Sequence, residues 1–366
     1  MDSRIVLAAA TASNIDLPSV TLCSYYNNEA QVAAKCAEIC NQDFNFIQVP
    51  KKSLTSAFED SVNASDGLYA APINLFGSLS KLSIDYNVLF SGHGIDYTLR
   101  GMYLPKLQVR GRTSATNIPI LMPLNSRKRN TAEIIQPIVE KNKNWRDVVI
   151  NQNIHKYERM LVDSLSSSLS HLEFNNSYDA IDAFILSTQS KHYTYADFIA
   201  MSRIINNRNI AFDTEVMEVY FSMSPYSRIS GEVVRKALKI LNPDLAKIKH
   251  ANTDVPVNSP LWLQSSKVIA KSIMHRAGLY KPKNNNNSNQ INTSGSWVNY
   301  TELLRSNDVV TNYIDSLDKN ESLLDLGIFS RKSIKTIIKQ HISGEKNHAK
   351  TLHSLISLSL WLNRYS

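Results

Sequence analysis

The alternation of short apolar strands with alanine-rich helices in residues 1–90 constrains the fold most. Residues 18–25 (PSVTLCSY), 44–50 (FNFIQVP) and 86–90 (YNVLF) carry the β-branched and aromatic side chains of strands. Residues 3–12, and residues 28–42 with their small apolar side chains at helical spacing, predict helices before and between the first two strands. Buried strands that alternate with helices indicate a parallel sheet covered on both faces.

We therefore predict an α/β protein with a doubly wound, mostly parallel sheet. Beyond about residue 130 the periodicity becomes helical with few strand signals, which predicts a large C-terminal helical portion packed against the sheet. The segments that carry these helical patterns are residues 154–172, 179–190 and 195–205, while residues 75–82 predict a helix before the third strand.

The domain organisation follows from one polar, asparagine-rich run. Residues 281–296 (KPKNNNNSNQINTSGS) are low in complexity and predict a loop or linker. We expect residues 1–280 to form the main domain, and residues 297–366 to form a helical segment that packs on it.

Composition excludes some classes of protein. With 366 residues and 43% hydrophobic content, the chain can bury a substantial core. Neither a bilayer-spanning apolar run nor a secretory leader is visible, so we predict a cytoplasmic protein without membrane contact. Cys23, Cys36 and Cys40 are interpreted as small buried thiols rather than metal ligands or a disulfide, since no second ligand pair accompanies them.

The net charge of +8 is unevenly distributed, because the basic residues form clusters beyond residue 99. Such clusters are typical of solvated faces or of sites for phosphate-rich ligands. A nucleic-acid groove would add interleaved aromatic residues and a recognisable module, and the sequence contains neither. We therefore expect no nucleic-acid partner.

The sequence SGHGID at residues 91–96 follows the apolar strand YNVLF and precedes a helical pattern. Gly92 and Gly94 allow the main chain to approach a ligand, Ser91 offers a hydroxyl group, and Asp96 offers a carboxylate for Mg²⁺. A tight connection without a ligand also needs glycines, so this motif alone leaves both interpretations open.

Together with the first residues, this motif resembles the asparagine synthetase family. MDSRIVLAAA resembles the end of the pyrophosphate loop S-G-G-(L/M)-D-S-R of the ATP-pyrophosphatase domain, which is shared with β-lactam synthetases and lasso-peptide cyclases. The family's second motif, S-G-x-G-x-D, is SGHGID here. Residues 207–245 and 352–366 are similar to later parts of the family, so the resemblance covers nearly the whole chain. Because the sequence starts inside the loop, we expect an N-terminally truncated member, without Ser-Gly-Gly and the preceding strand.

The resemblance implies an adenine-nucleotide-binding fold, with ATP and Mg²⁺ at the sheet edge. Asp2 and Asp96 match the metal-holding aspartates, although a plain helix cap is an alternative role for Asp2. The positions implied to contact ATP are Asp2, Ser3, Leu22, Ser24, Ser91, Gly92 and Gly94.

The resemblance implies catalytic roles for two residues, and each role has a structural alternative. The third position of the second motif is glutamate in asparagine synthetases and tyrosine in β-lactam synthetases. Here it is His93, which could act as a general base or be a surface histidine. Lys249, or Lys247, is the nearest match to a late lysine that neutralises phosphate charge, and a solvated lysine is the alternative. Tyr97 replaces an acidic residue of many relatives and weakens the inference of asparagine synthetase specificity.

The resemblance implies an amide-forming ligase that activates a carboxylate as an acyl-adenylate, releases pyrophosphate and admits ammonia or an amine. The expected partners are these small molecules, and a glutaminase domain or subunit that supplies ammonia. Two alternatives remain: a catalytically silent relative that binds a nucleotide or a protein, and, ranked last, a nucleic-acid-modifying ATP-pyrophosphatase.

Overall fold

The computed structural model describes most of the chain. The described residues are 1–23, 25–49, 58–68, 82, 85–110, 115–123, 131–141, 143–171, 174, 176–190, 194–251, 254–277, 300–306 and 308–365. Ser24, the predicted linker at 281–296 and the predicted helix at 75–82, except for residue 82, lie outside them.

Helices account for most of the described residues. They are α1 (Asp2–Ala12), α2 (Asn28–Ile39), α3 (Phe58–Ala64), α4 (Ile95–Thr98), α5 (Thr131–Lys141), α6 (Ile154–Ser170), α7 (Ser177–Ile185), α8 (Thr194–Ser202), α9 (Thr214–Ser222), α10 (Pro225–Ile229), α11 (Glu232–Leu241), α12 (Pro243–Lys247), α13 (Leu261–Arg276), α14 (Tyr300–Ser306), α15 (Asp308–Ser316), α16 (Glu321–Leu324), α17 (Arg331–Ser343) and α18 (Ala349–Tyr365). None of these helices is both long and apolar enough to cross a lipid bilayer.

Six strands form three two-stranded sheets in the described parts of the chain. The strands are β1 (Ser19–Cys23), β2 (Phe44–Gln48), β3 (Val88–Ser91), β4 (Lys106–Arg110), β5 (Ala115–Leu121) and β6 (Asn206–Asn209). Strand β1 pairs in parallel with β2, with Ser19 opposite Phe44, and β3 pairs in parallel with β6. Strands β4 and β5 form an antiparallel hairpin.

The predicted mixed α/β class is confirmed, and α1 and α2 alternate with β1 and the parallel β2 as expected. Helix α3, between β2 and β3, was not predicted. Neither the β4–β5 hairpin nor β6 was expected from the sequence pattern. The all-polar β6 sequence, NNRN, lacks the apolar side chains by which buried strands are recognised, and its partner β3 is distant in the sequence. The three cysteines are free and buried, as expected.

Helix α1 is packed on both of its sides. Leu7 and Ala8 contact a cluster that includes Cys36 of α2 and Leu238 of α11. Val6 belongs to a second cluster, in which α1 meets α4, α11 and the segment after β6. These contacts fix the first turn of α1 beside the end of β3.

A further apolar cluster joins the C-terminal helices to the early part of the chain. Burying each large aliphatic side chain contributes about 1.5–3 kcal/mol. The members that are fully buried are Phe58, Val62, Leu303, Leu304, Val310, Ile314, Leu317, Leu323, Ile334, Leu352 and Ile356. The C-terminal helices therefore pack on α3, while the proposed domain boundaries themselves stay a prediction.

Candidate functional site

The turn after β3 lies directly against the first turn of α1. A side-chain carbon built on Gly92 would lie 2.6 Å from the carbonyl carbon of Asp2 and 2.7 Å from the backbone nitrogen of Ser3. Only a residue without a side chain fits at this separation. The two sequence motifs, far apart along the chain, therefore meet in the structure.

The turn itself is fixed by local hydrogen bonds and by one glycine conformation. The backbone N–H of His93 donates to the Ser91 hydroxyl oxygen at 3.1 Å. Gly94 has a φ of +90°, a left-handed conformation that glycine adopts without strain, and it directly precedes α4. The Thr98 hydroxyl donates back to the Gly94 carbonyl at 3.1 Å.

Two carboxylates and one guanidinium group lie where the turn at residues 91–96 meets the first turn of α1, a region that we call the junction. Nη1 of Arg100 donates to both carboxylate oxygens of Asp2, each at 2.9 Å. Burial raises the pKa of Asp96, and the negative charge of Asp2 raises it further, while Arg100 opposes the shift. Like charges perturb each other in this way only at short range. Asp2, Asp96 and Arg100 therefore form one electrostatic group.

Further cations surround the group. Burial lowers the pKa of Arg235, whose Nη1 is buried without a hydrogen-bond partner among the described residues. Burial and then the charge of Arg100 lower the pKa of Lys106, whose Nζ donates to the Met102 carbonyl at 3.3 Å. Within the described residues, Arg100, Arg235 and Lys106 bring three positive charges to the junction, and Glu232 beside Arg235 and Asp182 near Lys106 offset part of them. Clustered cations of this kind are typical of sites for ligands that carry several negative charges.

The buried side chain of Arg4 connects α1 to the segment that follows α12. Its Nη1 donates to the carbonyls of Ile248 at 2.9 Å and Leu245 at 3.3 Å, and its Nη2 donates to that of Lys249 at 3.2 Å. Carbonyls at a helix C-terminus have no partners within the helix, so a guanidinium group satisfies them well. Arg4 thereby holds residues 248–250 beside the junction.

His250 lies in the same electrostatic environment. Burial lowers its pKa to about 4, and the positive charges of the amino terminus, Arg100 and Arg4 lower it further, while Asp2 opposes the shift. Its imidazole is therefore neutral at pH 7. Sequence reasoning selected the neighbouring Lys249 and missed this residue.

Of the two residues with implied catalytic roles, His93 lies on the same turn as Asp96. Its Nε2 is 3.3 Å from the Tyr97 hydroxyl, and the two rings meet edge to face at 5.2 Å. The Lys249 side chain is 64% exposed and pairs with Asp254 at 3.4 Å. Its contacts are those of a surface lysine, and the same holds for Lys247, which is 67% exposed.

The residues implied to contact the nucleotide differ in their position relative to the junction. Ser3 is exposed at the first turn of α1, beside Gly92. Leu22, at the end of β1, is partly buried against the cluster that holds the C-terminal helices. Ser24 lies outside the described residues, so its predicted role has no structural description.

The donor set fits magnesium held jointly by protein and phosphate. Mg²⁺ usually takes one or two carboxylates and completes its shell with phosphate oxygens and water. Asp2 and Asp96 are the two carboxylates of the junction that such an ion would contact. No group of three or more His, Cys, Asp or Glu side chains able to hold a metal occurs in the described part of the chain.

One comparison with known proteins decides the family. The family model described as Asparagine synthase matches residues 1–363. The chain belongs to the asparagine synthase family. Asparagine synthases and their relatives are, in general, ATP-dependent ligases that form amides. Searches of curated proteins and of solved structures return no match.

Two residues beside the site were missed by sequence reasoning, Arg100 and His250. Arg100 follows Asp96 by four residues, a spacing that places the two side chains on one side of a short helical turn. This signal could have identified Arg100. No comparable pattern marks His250, because its position depends on the contact between Arg4 and the end of α12.

The neutral state of His250 predicts a pH dependence of stability. The pKa of this histidine is near 4 in the folded chain, against an ordinary value of 6.5. Between these values the unfolded chain binds the extra proton, so folding stability falls as the pH falls below 6.5. At pH 5 this loss is about 2 kcal/mol. His250→Gln should abolish it.

Urea unfolding of the two proteins at pH 7 and pH 5 measures the difference. The matched control is His155→Gln, which changes an exposed histidine on α6. An equal loss of stability on acidification in the wild type and in His250→Gln would contradict the prediction.

Proposed function

We propose that this chain is an amide-forming ligase that binds ATP with Mg²⁺ between the first turn of α1 and the turn at residues 91–96. The observation that carries the proposal is the backbone contact of Gly92 with Asp2 and Ser3, which brings the carboxylates of Asp2 and Asp96 into one group. The surrounding arginines and lysine favour a polyphosphate ligand. Membership of the asparagine synthase family supports the same reaction class.

The proposed reaction has two steps. An oxygen of the substrate carboxylate attacks the α-phosphorus of ATP, the bond to the β-phosphate oxygen breaks, and pyrophosphate leaves. Ammonia or an amine then attacks the acyl carbon, AMP leaves, and a base accepts the proton of the amine. A glutaminase domain or subunit is a proposed source of ammonia.

Each proposed role belongs to a residue of the junction. The backbone N–H of Ser3 and the turn at Gly92 would receive phosphate oxygens at the start of α1. Asp2 and Asp96 would hold Mg²⁺, which neutralises phosphate charge when bound. His93, on the same turn, is the proposed base. Most of the rate enhancement from such a site comes from positioning and from charge stabilisation.

We also propose that the two parallel strand pairs belong to one doubly wound sheet. Val20 of β1, Ile47 of β2 and Leu89 of β3 contact the same small apolar cluster around Leu82 and Met201. A shared cluster on one side of both pairs is the packing expected for strands of a common layer.

Carboxylate-dependent exchange of labelled pyrophosphate into ATP tests the proposed function. A panel of carboxylic acids, including L-aspartate, is offered to the wild type and to Asp96→Asn. We expect exchange with at least one acid, and a rate lower by about 100-fold in Asp96→Asn, because one charge at the reacting phosphates is lost.

Asp244→Asn is the matched control, since Asp244 is 68% exposed and pairs only with Lys247 in the described structure. It should exchange at the wild-type rate. Absence of exchange with every acid, in a protein that binds ATP, would exclude the ligase.

A catalytically silent, nucleotide-binding or protein-binding relative is the second candidate. The observation that favours it is the ion pair of Arg100 with both Asp2 oxygens, which places a positive charge between the two oxygens where a metal ion would bind them. ATP binding without exchange is the result that this candidate predicts.

A further inference from the structure

Arg100 contacts Asp2 through a single nitrogen. Its Nη1 lies 2.9 Å from each carboxylate oxygen, and the two side chains are 30% and 26% exposed. This nitrogen occupies the position between the two carboxylate oxygens and brings a positive charge there, so a metal ion can take that position only after the nitrogen has moved.

The other donors of the Arg100 guanidinium group have no hydrogen-bond partner in the part of the chain that the structure describes. Arginine carries five N–H donors in a rigid plane, a geometry suited to phosphate oxygens. Within the described residues, neither Nη2 nor Nε of Arg100 makes a hydrogen bond. The group can therefore bind an oxyanion without losing any other partner.

The stem of Arg100 is held in place by a second element. A side-chain carbon on Gly231, which has a φ of +60°, would lie 3.2 Å from Cγ of Arg100. The arginine therefore lies against the start of α11 and reaches Asp2 from there. Only the end of the side chain needs to turn for the guanidinium group to change partners.

The surrounding charges determine which ligand can make Arg100 leave Asp2. A divalent cation that arrives alone meets Arg100, Arg235 and Lys106 and must displace a favourable ion pair. A polyphosphate that arrives with the cation brings its own negative charges, to which Arg100 can turn. Asp2 is then released for the metal.

Building on the proposed function, we propose that Arg100 makes metal binding conditional on a polyphosphate. The ion pair with Asp2 keeps free divalent cations out of the site as long as no polyphosphate is bound. When a nucleotide triphosphate or pyrophosphate binds, Arg100 moves to its phosphate oxygens, and Asp2 joins Asp96 at the metal. Arg100 is thus a positioning and selecting residue for the metal–polyphosphate complex.

Two binding titrations test this role without any catalytic readout. The first measures Mn²⁺ alone, by its paramagnetic signal, and the second measures pyrophosphate in the presence of Mg²⁺, by calorimetry. In Arg100→Gln we expect Mn²⁺ affinity to rise by about tenfold, because the positive charge between the two Asp2 oxygens is removed. Pyrophosphate affinity should fall by about 10- to 100-fold, since charge-assisted hydrogen bonds are lost.

Two further variants separate charge from hydrogen bonding and from folding. Arg100→Lys keeps the positive charge and should exclude Mn²⁺ as the wild type does. Arg159→Gln removes an exposed arginine of α6 and should change neither affinity. Circular dichroism of each variant establishes that it is folded.

The outcomes are distinct. The proposal is overturned when folded Arg100→Gln binds Mn²⁺ no better than the wild type, when it retains full pyrophosphate affinity, or when Arg100→Lys admits Mn²⁺. A wild type that binds no pyrophosphate with Mg²⁺ refutes the proposed function, while the Mn²⁺ titration still decides whether Arg100 excludes free metal.

Discussion

Replacing Arg228 with methionine is expected to lower the free energy of unfolding by about 3–5 kcal/mol. Arg228 and Asp182 are 2% and 0% exposed, and Nη1 of Arg228 lies 2.7 Å from Oδ2 of Asp182. Removing the arginine leaves a carboxylate in the interior without its counter-charge. Such an uncompensated group is among the few causes of large single-residue effects.

The neighbours of Asp182 cannot replace the arginine. Tyr220 donates its hydroxyl to the same carboxylate oxygen at 3.0 Å, and Oδ1 of Asp182 is buried without a partner in the described structure. Burial raises the pKa of Asp182 to about 6 even though Arg228 opposes the shift. The guanidinium group also pairs with Asp179 and lies 4.8 Å from the Tyr220 ring centre, so its loss affects α7, α9 and α10 together.

Two comparisons isolate the buried charge as the cause. The double variant Arg228→Met with Asp182→Asn removes both charges and should recover most of the lost stability, since a neutral pair leaves no buried ion. Lys236→Met breaks a surface pair with Glu232, whose side chains are 70% and 49% exposed, and should cost at most about 1 kcal/mol. Urea unfolding measures all three, and a cost below about 1 kcal/mol for Arg228→Met would refute the argument.

The three strands of the first ninety residues and helices α1 and α2 could be predicted because their signals are local, whereas α3 was missed. Helix α2 and strands β1 and β2 are recognised from spacing within single segments, and the structure places them within a few residues of the expected bounds. Strand β6 could not be recognised in this way. Its residues are polar, and its pairing with β3 depends on contacts between distant parts of the chain.

The site was predictable to the extent that it consists of motifs. The glycine turn with Asp96 and the first residues with Asp2 are two short stretches of sequence, and the structure brings them together at the junction. The pairing of Arg100 with Asp2 and the position of His250 could not be inferred from those stretches, because both depend on the three-dimensional approach of α1, α4 and the segment after α12. His250 follows Lys249 in the sequence, and its burial beside the site depends on the hydrogen bonds that Arg4 makes to the end of α12 rather than on a motif.

Gly92→Ala should separate the two motifs and, if the proposed function holds, reduce nucleotide-dependent activity by about 100-fold. The added methyl group would lie 2.6–2.8 Å from backbone atoms of Asp2 and Ser3, so either the turn or the first turn of α1 must move. Overpacking of this kind typically costs about 1–3 kcal/mol. Because Asp2 and Asp96 belong to the two segments that move apart, the proposed metal position between them would be lost along with the stability.

The control for this substitution is Gly327→Ala, which separates the effect of a steric clash with α1 from the effect of backbone strain. Gly327 has a φ of +65°, and no atom lies within 4 Å of the position that an added side-chain carbon would take, whereas Gly92 has no positive φ. Gly327→Ala should therefore cost about 1–2 kcal/mol from the left-handed backbone alone and leave ATP affinity unchanged. Equal ATP affinities for Gly92→Ala and the wild type would show that ATP binding does not depend on the contact of Gly92 with Asp2 and Ser3. The junction of the two motifs would then not be the nucleotide site.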